Sequence, residues 1–322
     1  MKIQGWKVLI TGVAGFIGSN LADNLLALGA EVIGIDNLYN GTLENIDEAL
    51  KNKNFQFHKV DVRDFDFILE ICKGVEIIFH EAAFASVPKS LKMPSSCNDV
   101  NINGILNILN SARKLDIEKV IFASSSSVYG NQETLPMVET MQRNPISPYG
   151  AAKLACEAYM QSYYHSYGIK TVSLRYFNVF GPRQKVSDYS GVISKWLGRI
   201  INNEPLIIYG DGTQTRDFTY IKDVVQANIL AAEKNISGEI INIGAGNPIT
   251  INELATIMLK LSNRNDIQII KTDPRHGDIK HGYADTTKAK EILDFIPKYN
   301  QEQGIAEYFQ WYSKRYNVNL TN

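Results

Sequence analysis

Short apolar runs alternate, along the first half of the chain, with stretches in which apolar side chains recur every three or four positions. The runs predict buried strands, and the helical spacing predicts amphipathic helices between them. We place six strands, near 7–11, 31–35, 55–60, 75–80, 119–124 and 171–176. Because strands and helices that alternate in this way build a parallel sheet with helices on both faces, the expected fold is a doubly wound α/β sheet of the Rossmann type.

Three glycines stand between the first apolar run and the first helical pattern. Gly12, Gly15 and Gly18 are three residues apart, as in a turn that leads from a strand into a helix. Glycine lets the backbone approach a phosphate closely, and the free N–H groups of the helix N-terminus bind it. Asp36 ends the second apolar run, where a carboxylate accepts hydrogen bonds from an adenosine ribose and repels a 2′-phosphate. The pattern therefore predicts a dinucleotide site that prefers NAD to NADP.

The periodic pattern becomes looser after residue 176. We expect residues 1–176 to form the NAD-binding Rossmann domain, and residues 177–322 to form mainly a second, smaller α/β domain that binds the substrate. The helical pattern at 222–234 and the apolar run at 239–243 have the character of a further helix and strand of the main sheet. The segment near 217–243 is therefore expected to return to the first domain.

Composition excludes several classes of protein. The chain has 322 residues, 44% of them hydrophobic, which is enough for a sizeable core, and a net charge of -1. Its charges are scattered, so nucleic acid is not an expected partner. No apolar stretch approaches the length of a membrane span, and no room is left for a signal peptide before the first strand, so a cytoplasmic location is expected. The three cysteines are widely spaced, and neither a disulfide nor a metal site is predicted.

A second motif carries the chemistry. Tyr149 and Lys153 are four residues apart at the start of a predicted helix, so their side chains share a face. A free tyrosine has a pKa of about 10, and a neighbouring cation favours the phenolate, so Lys153 is expected to make Tyr149 a usable base. Serines at 124–127 follow an apolar strand whose carboxyl end should face the cofactor. Tyr-x-x-x-Lys alone is more often a surface pair, but with the glycine turn and this strand it indicates a catalytic site.

Motifs along nearly the whole chain resemble the extended short-chain dehydrogenase/reductase superfamily, and within it the UDP-hexose 4-epimerases, most closely the UDP-N-acetylglucosamine 4-epimerase subgroup. The resemblance implies the catalytic set Ser125, Tyr149 and Lys153. The same resemblance implies cofactor contacts at the glycine turn and the strand ends, from Gly12, Gly15, Phe16, Ile17, Gly18, Asp36, Asn37, Asp61, Val62, Ala82, Ala83, Asn101, Tyr149, Lys153 and Tyr176. It implies UDP-sugar contacts from Ser86, Ser125, Ser126, Asn178, Val192, Tyr209, Arg216, Arg275, Asp278 and Gly282. His80 is expected to be a core residue.

The reaction that the resemblance implies is NAD-dependent epimerisation at C4 of a UDP-hexose through a transient 4-keto sugar. A nucleotide-sugar 4,6-dehydratase shares the fold but carries Asp-Glu after the catalytic serine, where this chain has Ser126-Ser127, which do no acid/base work at neutral pH. UDP-glucuronate 4-epimerase remains an alternative, because the sequence does not identify an arginine for the carboxylate. The non-enzyme alternative is an NAD-sensing regulator, a class that typically loses the Tyr/Lys pair.

Two further features concern the sugar and the assembly. The segment 85–90 resembles the subgroup that acts on N-acetylated UDP-hexoses, and Gly282 stands where enzymes restricted to UDP-glucose and UDP-galactose have a tyrosine. Glycine leaves volume for a 2-acetamido group, although a loop that requires positive φ would also explain it. The expected substrates are UDP-GlcNAc and UDP-GalNAc, with UDP-glucose and UDP-galactose also accepted. Helices around 94–115 and 147–168 resemble those of a homodimer contact in the superfamily.

Overall fold

A computed structural model of the protein describes residues 3–186, 191–274 and 280–320. Its strands are β1 (Lys7–Thr11), β2 (Glu31–Asp36), β3 (Phe55–Lys59), β4 (Ile77–His80), β5 (Lys119–Ser125), β6 (Lys170–Tyr176), β7 (Val179–Phe180), β8 (Leu206–Tyr209), β9 (Thr215–Arg216), β10 (Thr219–Tyr220), β11 (Glu239–Ile243), β12 (Ile249–Thr250), β13 (Ile269–Thr272) and β14 (His281–Gly282). Its helices are α1 (Phe16–Ala27), α2 (Phe65–Ile71), α3 (Val87–Lys92), α4 (Pro94–Asn98), α5 (Gly104–Lys114), α6 (Pro148–Tyr167), α7 (Val192–Ile201), α8 (Ile221–Glu233), α9 (Ile251–Leu261), α10 (Thr287–Leu293) and α11 (Gln301–Tyr316).

The main sheet has seven strands in the order β11-β6-β5-β4-β1-β2-β3. Every pairing in it is parallel, and helices cover both faces, so the predicted Rossmann-type fold is confirmed. All six strands predicted in the first half are present, and the run at 239–243 joins the sheet as β11 beside β6. The fourth strand begins two residues later than predicted, because Val75 still belongs to the turn after α2, where its N–H donates to the carbonyl of Cys72.

The order of the strands reverses direction between β1 and β4, since β1 leads on to β2 on one side while β4 leads to β5 on the other. Ligands of open α/β sheets bind in the crevice at such a reversal, beyond the carboxyl ends of the strands. Thr11 and His80 end these two strands in register, and the Thr11 Oγ1–His80 Nδ1 distance is 2.8 Å. The glycine turn and the segment after β4 therefore border the same crevice.

The shorter strands lie in three smaller sheets. β7 pairs with β10, β9 lies between β12 and β14, and β8 pairs with β13. Asp217, between β9 and β10, is fully buried, and its carboxylate accepts hydrogen bonds from the backbone N–H groups of Ala245, Gly246 and Ala284 at 2.9–3.1 Å. One carboxylate thus joins the end of β11 to the β9–β14 layer. The division into domains at residue 176 stays a prediction.

A buried ion pair joins α6 to the sheet. The Arg175 guanidinium, on β6, donates two hydrogen bonds to the Glu157 carboxylate, at 2.8 and 2.7 Å, and the two side chains are 0% and 2% exposed. The hydroxyl of Ser124 donates to the same carboxylate at 2.6 Å, and Arg175 also donates to the phenol oxygen of Tyr129 at 2.8 Å. Tyr129 in turn donates to Asn242 on β11 at 2.6 Å. The network fixes α6 against β5, β6 and β11.

Removal of one charge from the buried Arg175–Glu157 pair should destabilise the protein. We expect Glu157→Gln to lower the free energy of unfolding by about 3–5 kcal/mol, because it leaves a buried guanidinium without its counter-charge. The matched control is Glu118→Gln, which breaks an exposed pair with Lys170 and should cost about 1 kcal/mol or less. Denaturant unfolding of both variants measures the difference. Equal losses of unfolding free energy would show that the buried pair stabilises the protein no more than the exposed one.

Candidate functional site

The glycine turn is too tight for side chains. Gly12 has a φ of +69°, and a Cβ added to it would lie 2.8 Å from the backbone of Ala82. A Cβ at Gly18 would lie 2.3 Å from the carbonyl oxygen of Gly12. Gly15 is the N-cap of α1, and Phe16 and Ile17 begin that helix. The open backbone at a helix N-terminus fits the pyrophosphate of a dinucleotide, so this turn suits NAD.

Asp36 fastens the glycine turn to β2. It is buried, and its two carboxylate oxygens accept hydrogen bonds from the N–H groups of Ala14 at 3.0 Å and Leu38 at 2.7 Å. Burial raises its pKa. An ionised carboxylate has about four acceptor positions, so two remain for a ribose. The neighbouring Asn37 donates to Asp61 at 2.8 Å, which brings together two side chains that the sequence assigned to the cofactor.

The segment after β4 is held from two sides. The N–H of Ala82 donates to Thr11 Oγ1 at 3.1 Å, and the amide oxygen of the buried Asn101 accepts from the N–H of Phe84 at 2.8 Å. Ala83 lies between these two anchors. Asn101 belongs to a π-helical turn, Asp99–Asn103, that interrupts the run from α4 to α5. Such turns often occur at functional sites, and here the turn places Asn101 beneath the predicted cofactor segment.

Val62 and His80 close the floor of the crevice. Both are buried, and a Cβ at Gly104 would lie 2.9 Å from a methyl of Val62 and 4.0 Å from the ring of His80. Burial lowers the pKa of His80 to about 3. The ring is therefore neutral, and with its contact to Thr11 it is the core residue that the sequence predicted.

The side chains of the predicted catalytic set lie close together in the structure. α6 begins at Pro148 after the N-cap Ser147, and Tyr149 and Lys153 lie on its first turns, with the Lys153 Nζ 5.8 Å from the centre of the Tyr149 ring. Ser125, the last residue of β5, makes a side-chain hydrogen bond to Tyr149. The Lys153 ammonium is buried and donates to the carbonyl of Ala123 at 2.7 Å. The three side chains of the predicted set therefore meet at the carboxyl end of β5.

Burial of the Tyr149 phenol acts against the lowering of its pKa that a neighbouring cation would cause. Burial raises the pKa of the phenol to about 12, more than the hydrogen bond from Ser125 lowers it. Lys153 does not reverse this shift, because its own pKa is lowered by burial and its ammonium hydrogen bonds to Ala123. The protein alone thus keeps Tyr149 protonated at neutral pH.

A cavity of about 750 Å³ lies beyond the end of β6. Four residues that the sequence assigned to the UDP-sugar line it: Asn178, Val192, Tyr209 and Arg216. The Arg216 guanidinium donates to the carbonyls of Thr215 at 2.9 Å and Lys280 at 3.3 Å, which holds it at the wall of the cavity. The volume and the cation suit a nucleotide diphosphate.

The other residues predicted to bind the substrate lie outside this cavity or outside the described residues. Ser86, Ser125, Ser126 and Gly282 are not among the residues that line this cavity, and Arg275 and Asp278 lie outside the described residues. Ser86 caps α3 by accepting from the N–H of Lys89. Ser126 opens a 3-10 turn, Ser126–Val128, directly after Ser125.

Gly282 lies in β14 and is buried, paired in register with Arg216. A parallel strand has extended backbone with negative φ, which any residue adopts. The alternative explanation, a loop that needs positive φ, therefore has no support here.

Sequence reasoning missed several residues of this region. Gln184 and Trp196 line the cavity, where Gln184 Nε2 donates to the carbonyl of Val179 and Trp196 Nε1 donates to that of Ile207. Trp196 is on the apolar face of α7, where its spacing indicates core packing and not a site. Glu81, next to Ala82, was also missed, because a single carboxylate after a strand carries no spacing signal.

Comparison with known proteins agrees with this site. A model of the NAD dependent epimerase/dehydratase family matches residues 8–244. The chain belongs to this family. Membership makes it an NAD-dependent enzyme, and the glycine turn described above provides the corresponding site. Among the helices of the described residues, none has the length and apolar character needed to cross a membrane.

Relatives within the epimerase family cover almost the whole chain. The UDP-N-acetylglucosamine 4-epimerase of Methanobrevibacter ruminantium, solved with UDP-N-acetylmuramic acid, is 40% identical with a TM-score of 0.93, over 97% of this chain and 99% of that one. The UDP-glucose 4-epimerase of Thermotoga maritima, solved with UDP-glucose, is 37% identical with a TM-score of 0.90, over 96% and 99%. The UDP-glucuronate 4-epimerase of Thermodesulfobacterium geofontis is 37% identical over 94% and 95%. These similarities support UDP-sugar 4-epimerase activity.

The glycine turn gives a direct test of cofactor binding. We expect Gly18→Ala to weaken NAD+ binding by about tenfold or more, because the added methyl displaces the backbone of the turn at a cost on the order of 1–3 kcal/mol. Gly191→Ala is the control, since the nearest atom to a Cβ there is 3.9 Å away. Calorimetric titration with NAD+ measures both, and unchanged affinity in Gly18→Ala would show that the turn is not the pyrophosphate site.

Proposed function

We propose that this family member interconverts the C4 epimers of UDP-N-acetylhexosamines, UDP-GlcNAc and UDP-GalNAc, and also accepts UDP-glucose and UDP-galactose. The observation that carries the proposal is Gly282. It is buried in an extended strand beside Arg216, where the backbone does not require glycine. By the resemblance to the family, enzymes restricted to UDP-glucose and UDP-galactose carry a tyrosine at this place, and the absence of that side chain here supports a sugar with a 2-acetamido group.

The nucleotide is held away from the reacting carbon. In the proposed mode of binding, Arg216 pairs with the diphosphate, Asn178 donates hydrogen bonds to it, and Tyr209 lies against the uracil. A guanidinium anchored by two backbone carbonyls binds phosphate with little loss of side-chain freedom. Arg275 and Asp278 complete the proposed set. The sugar can then turn about its link to the diphosphate while the nucleotide stays bound.

Proton transfer belongs to Ser125 and Tyr149. Their hydrogen bond orients the phenol at the end of β5, where it takes the proton of the 4-hydroxyl and later returns it. NAD, when bound, accepts and returns the hydride and brings a positive ring. A positive charge beside a phenol lowers its pKa, and this opposes the effect of burial on Tyr149. Lys153 holds its own charge beside the same ring.

Two other activities are weighed on particular observations. UDP-glucuronate epimerisation is the second candidate, favoured by the 37% identical relative of that name. Dehydration is disfavoured, because Ser126 and Ser127 stand where dehydratases carry Asp and Glu for acid/base chemistry. The Ser127 hydroxyl instead donates to Ser125 Oγ at 2.9 Å. A role as an NAD-sensing regulator is disfavoured, because both members of the Tyr149–Lys153 pair are present and lie together on α6.

Two expectations from the sequence stay predictions. They are a homodimer formed through the helices around 94–115 and 147–168, and a cytoplasmic location.

Incubation of the purified protein with each sugar nucleotide tests the reaction. With UDP-GlcNAc, UDP-glucose or UDP-glucuronate and no added reductant, NMR should show the C4 epimer, with the highest rate for UDP-GlcNAc. A Tyr149→Phe variant is the control for contaminating activity and should give no epimer. Turnover of UDP-glucuronate alone would move the assignment to the uronate epimerases.

Gly282 gives the test of sugar selection. We expect Gly282→Tyr to lower kcat/KM for UDP-GlcNAc by about 10- to 100-fold, because the tyrosine ring would take the place of the 2-acetamido group, while UDP-glucose, which lacks that group, should be turned over at nearly the same rate. Gly282→Ala, which adds one methyl group, is the matched control and should retain most activity on both sugars. Equal losses on both sugars in Gly282→Tyr would contradict the proposed role.

A further inference from the structure

A buried carboxyl group shares the catalytic space but has no part in the mechanism above. Glu81 follows β4 directly, and its Oε1 accepts a hydrogen bond from the phenol of Tyr176, the last residue of β6, at 2.9 Å. The Tyr176 oxygen also accepts from Asn228 on α8 at 2.8 Å. Glu81 Oε2 is buried, and nothing in the described part of the chain hydrogen bonds to it. One oxygen is therefore tethered to Tyr176, and the other is covered by protein atoms and accepts no hydrogen bond within the described residues, so the carboxylate acts on its surroundings through its charge.

The carboxylate lies close enough to the catalytic pair to act on both members. The charge of Glu81 adds to the rise in the pKa of Tyr149 and opposes the fall in the pKa of Lys153 that burial causes. Glu81, Ser125 and Tyr176 stand at the carboxyl ends of the neighbouring strands β4, β5 and β6, which reach the same edge of the sheet. The three side chains thus gather at the strand ends close to Tyr149.

These strand ends are where a nicotinamide ring has to lie if the proposed function is right, and the present inference rests on that function. Hydride transfer requires the ring to face the carbon whose hydroxyl Tyr149 deprotonates. Burial raises the pKa of Glu81 to about 7, and a positive ring beside it lowers that pKa again, so the carboxyl is ionised in the complex. A fixed negative charge stabilises the positive, oxidised ring and does nothing comparable for the neutral, reduced ring.

We propose that Glu81 sets the redox preference of the bound cofactor, and that its carboxylate holds NAD in the oxidised form. In each cycle the C4–H bond of the sugar breaks, its electron pair leaves as hydride to the ring, and the hydroxyl proton goes to Tyr149. The ring loses its positive charge in this step and regains it when the hydride returns to the ketone. A charge that favours the oxidised ring drives the return, so the 4-keto sugar has less time to leave.

The experiment compares the affinities of the two forms of the cofactor. Calorimetric titration of the full-length protein with NAD+ and with NADH, without any sugar, gives the two Kd values. Glu81→Gln keeps the shape and an acceptor for Tyr176 but removes the charge, and we expect it to shift the ratio of the two Kd values by about tenfold toward NADH. Glu81→Asp keeps the charge and should leave the ratio within about threefold of the wild type.

A control variant at an exposed glutamate accompanies this experiment. Glu291→Gln removes an exposed charge from α10 and should leave both Kd values unchanged. An unchanged ratio in Glu81→Gln, or an equal loss of affinity for both forms, overturns the inference, because either result gives Glu81 a structural role only. The readout needs no turnover, so the two failures are distinguishable: a protein that shows the shifted ratio but epimerises no sugar would contradict the proposed function, and only the effect of Glu81 on the redox preference of the cofactor would stand.

Discussion

The buried Arg175–Glu157 pair is the interaction on which the arrangement of the site depends. Glu157 lies one turn beyond Lys153 on α6, and Arg175 precedes Tyr176 on β6, so the pair fixes the height of the catalytic helix against the sheet. The bond from Ser124 brings the end of β5 to the same carboxylate. If α6 slid along the sheet, the buried charges of Arg175 and Glu157 would separate and each would lack a counter-charge. The pair therefore fixes the position of the α6 side chains relative to the strand ends.

Burial shifts the pKa values of the ionisable groups in the site. Around the start of α6 and the strand ends lie groups whose pKa values burial shifts toward their neutral forms. Burial raises the pKa of Tyr149 and of Glu81, and it lowers that of Lys153. A charged ligand changes all three at once, since charges interact strongly where water is excluded. The protonation of the catalytic base is therefore coupled to cofactor binding and is not a fixed property of the chain.

The sequence predicts what depends on local pattern and fails where distant residues meet. The strands of the sheet follow from apolar runs, and the glycine turn follows from its spacing, because each is encoded within a few residues. Asp217 and Glu81 act through partners 28 to 95 positions away, and neither leaves a periodic signal. The pKa of Tyr149 shows the same limit: the sequence shows that Lys153 is a neighbour, but it does not show the burial that raises the pKa of the phenol.

In the proposed mode of binding, sugar selection and nucleotide binding are linked by one short strand pairing. β9 supplies Arg216 and β14 supplies Gly282, and the two residues are partners in register. The carbonyl of Lys280, just before β14, also accepts a hydrogen bond from Arg216. A slip of one residue in this pairing would change the offset between the Arg216 guanidinium and Gly282. The register therefore fixes the proposed anchor of the diphosphate relative to the position proposed to select the sugar, and the proposed mechanism needs this because the sugar turns while its nucleotide stays in place.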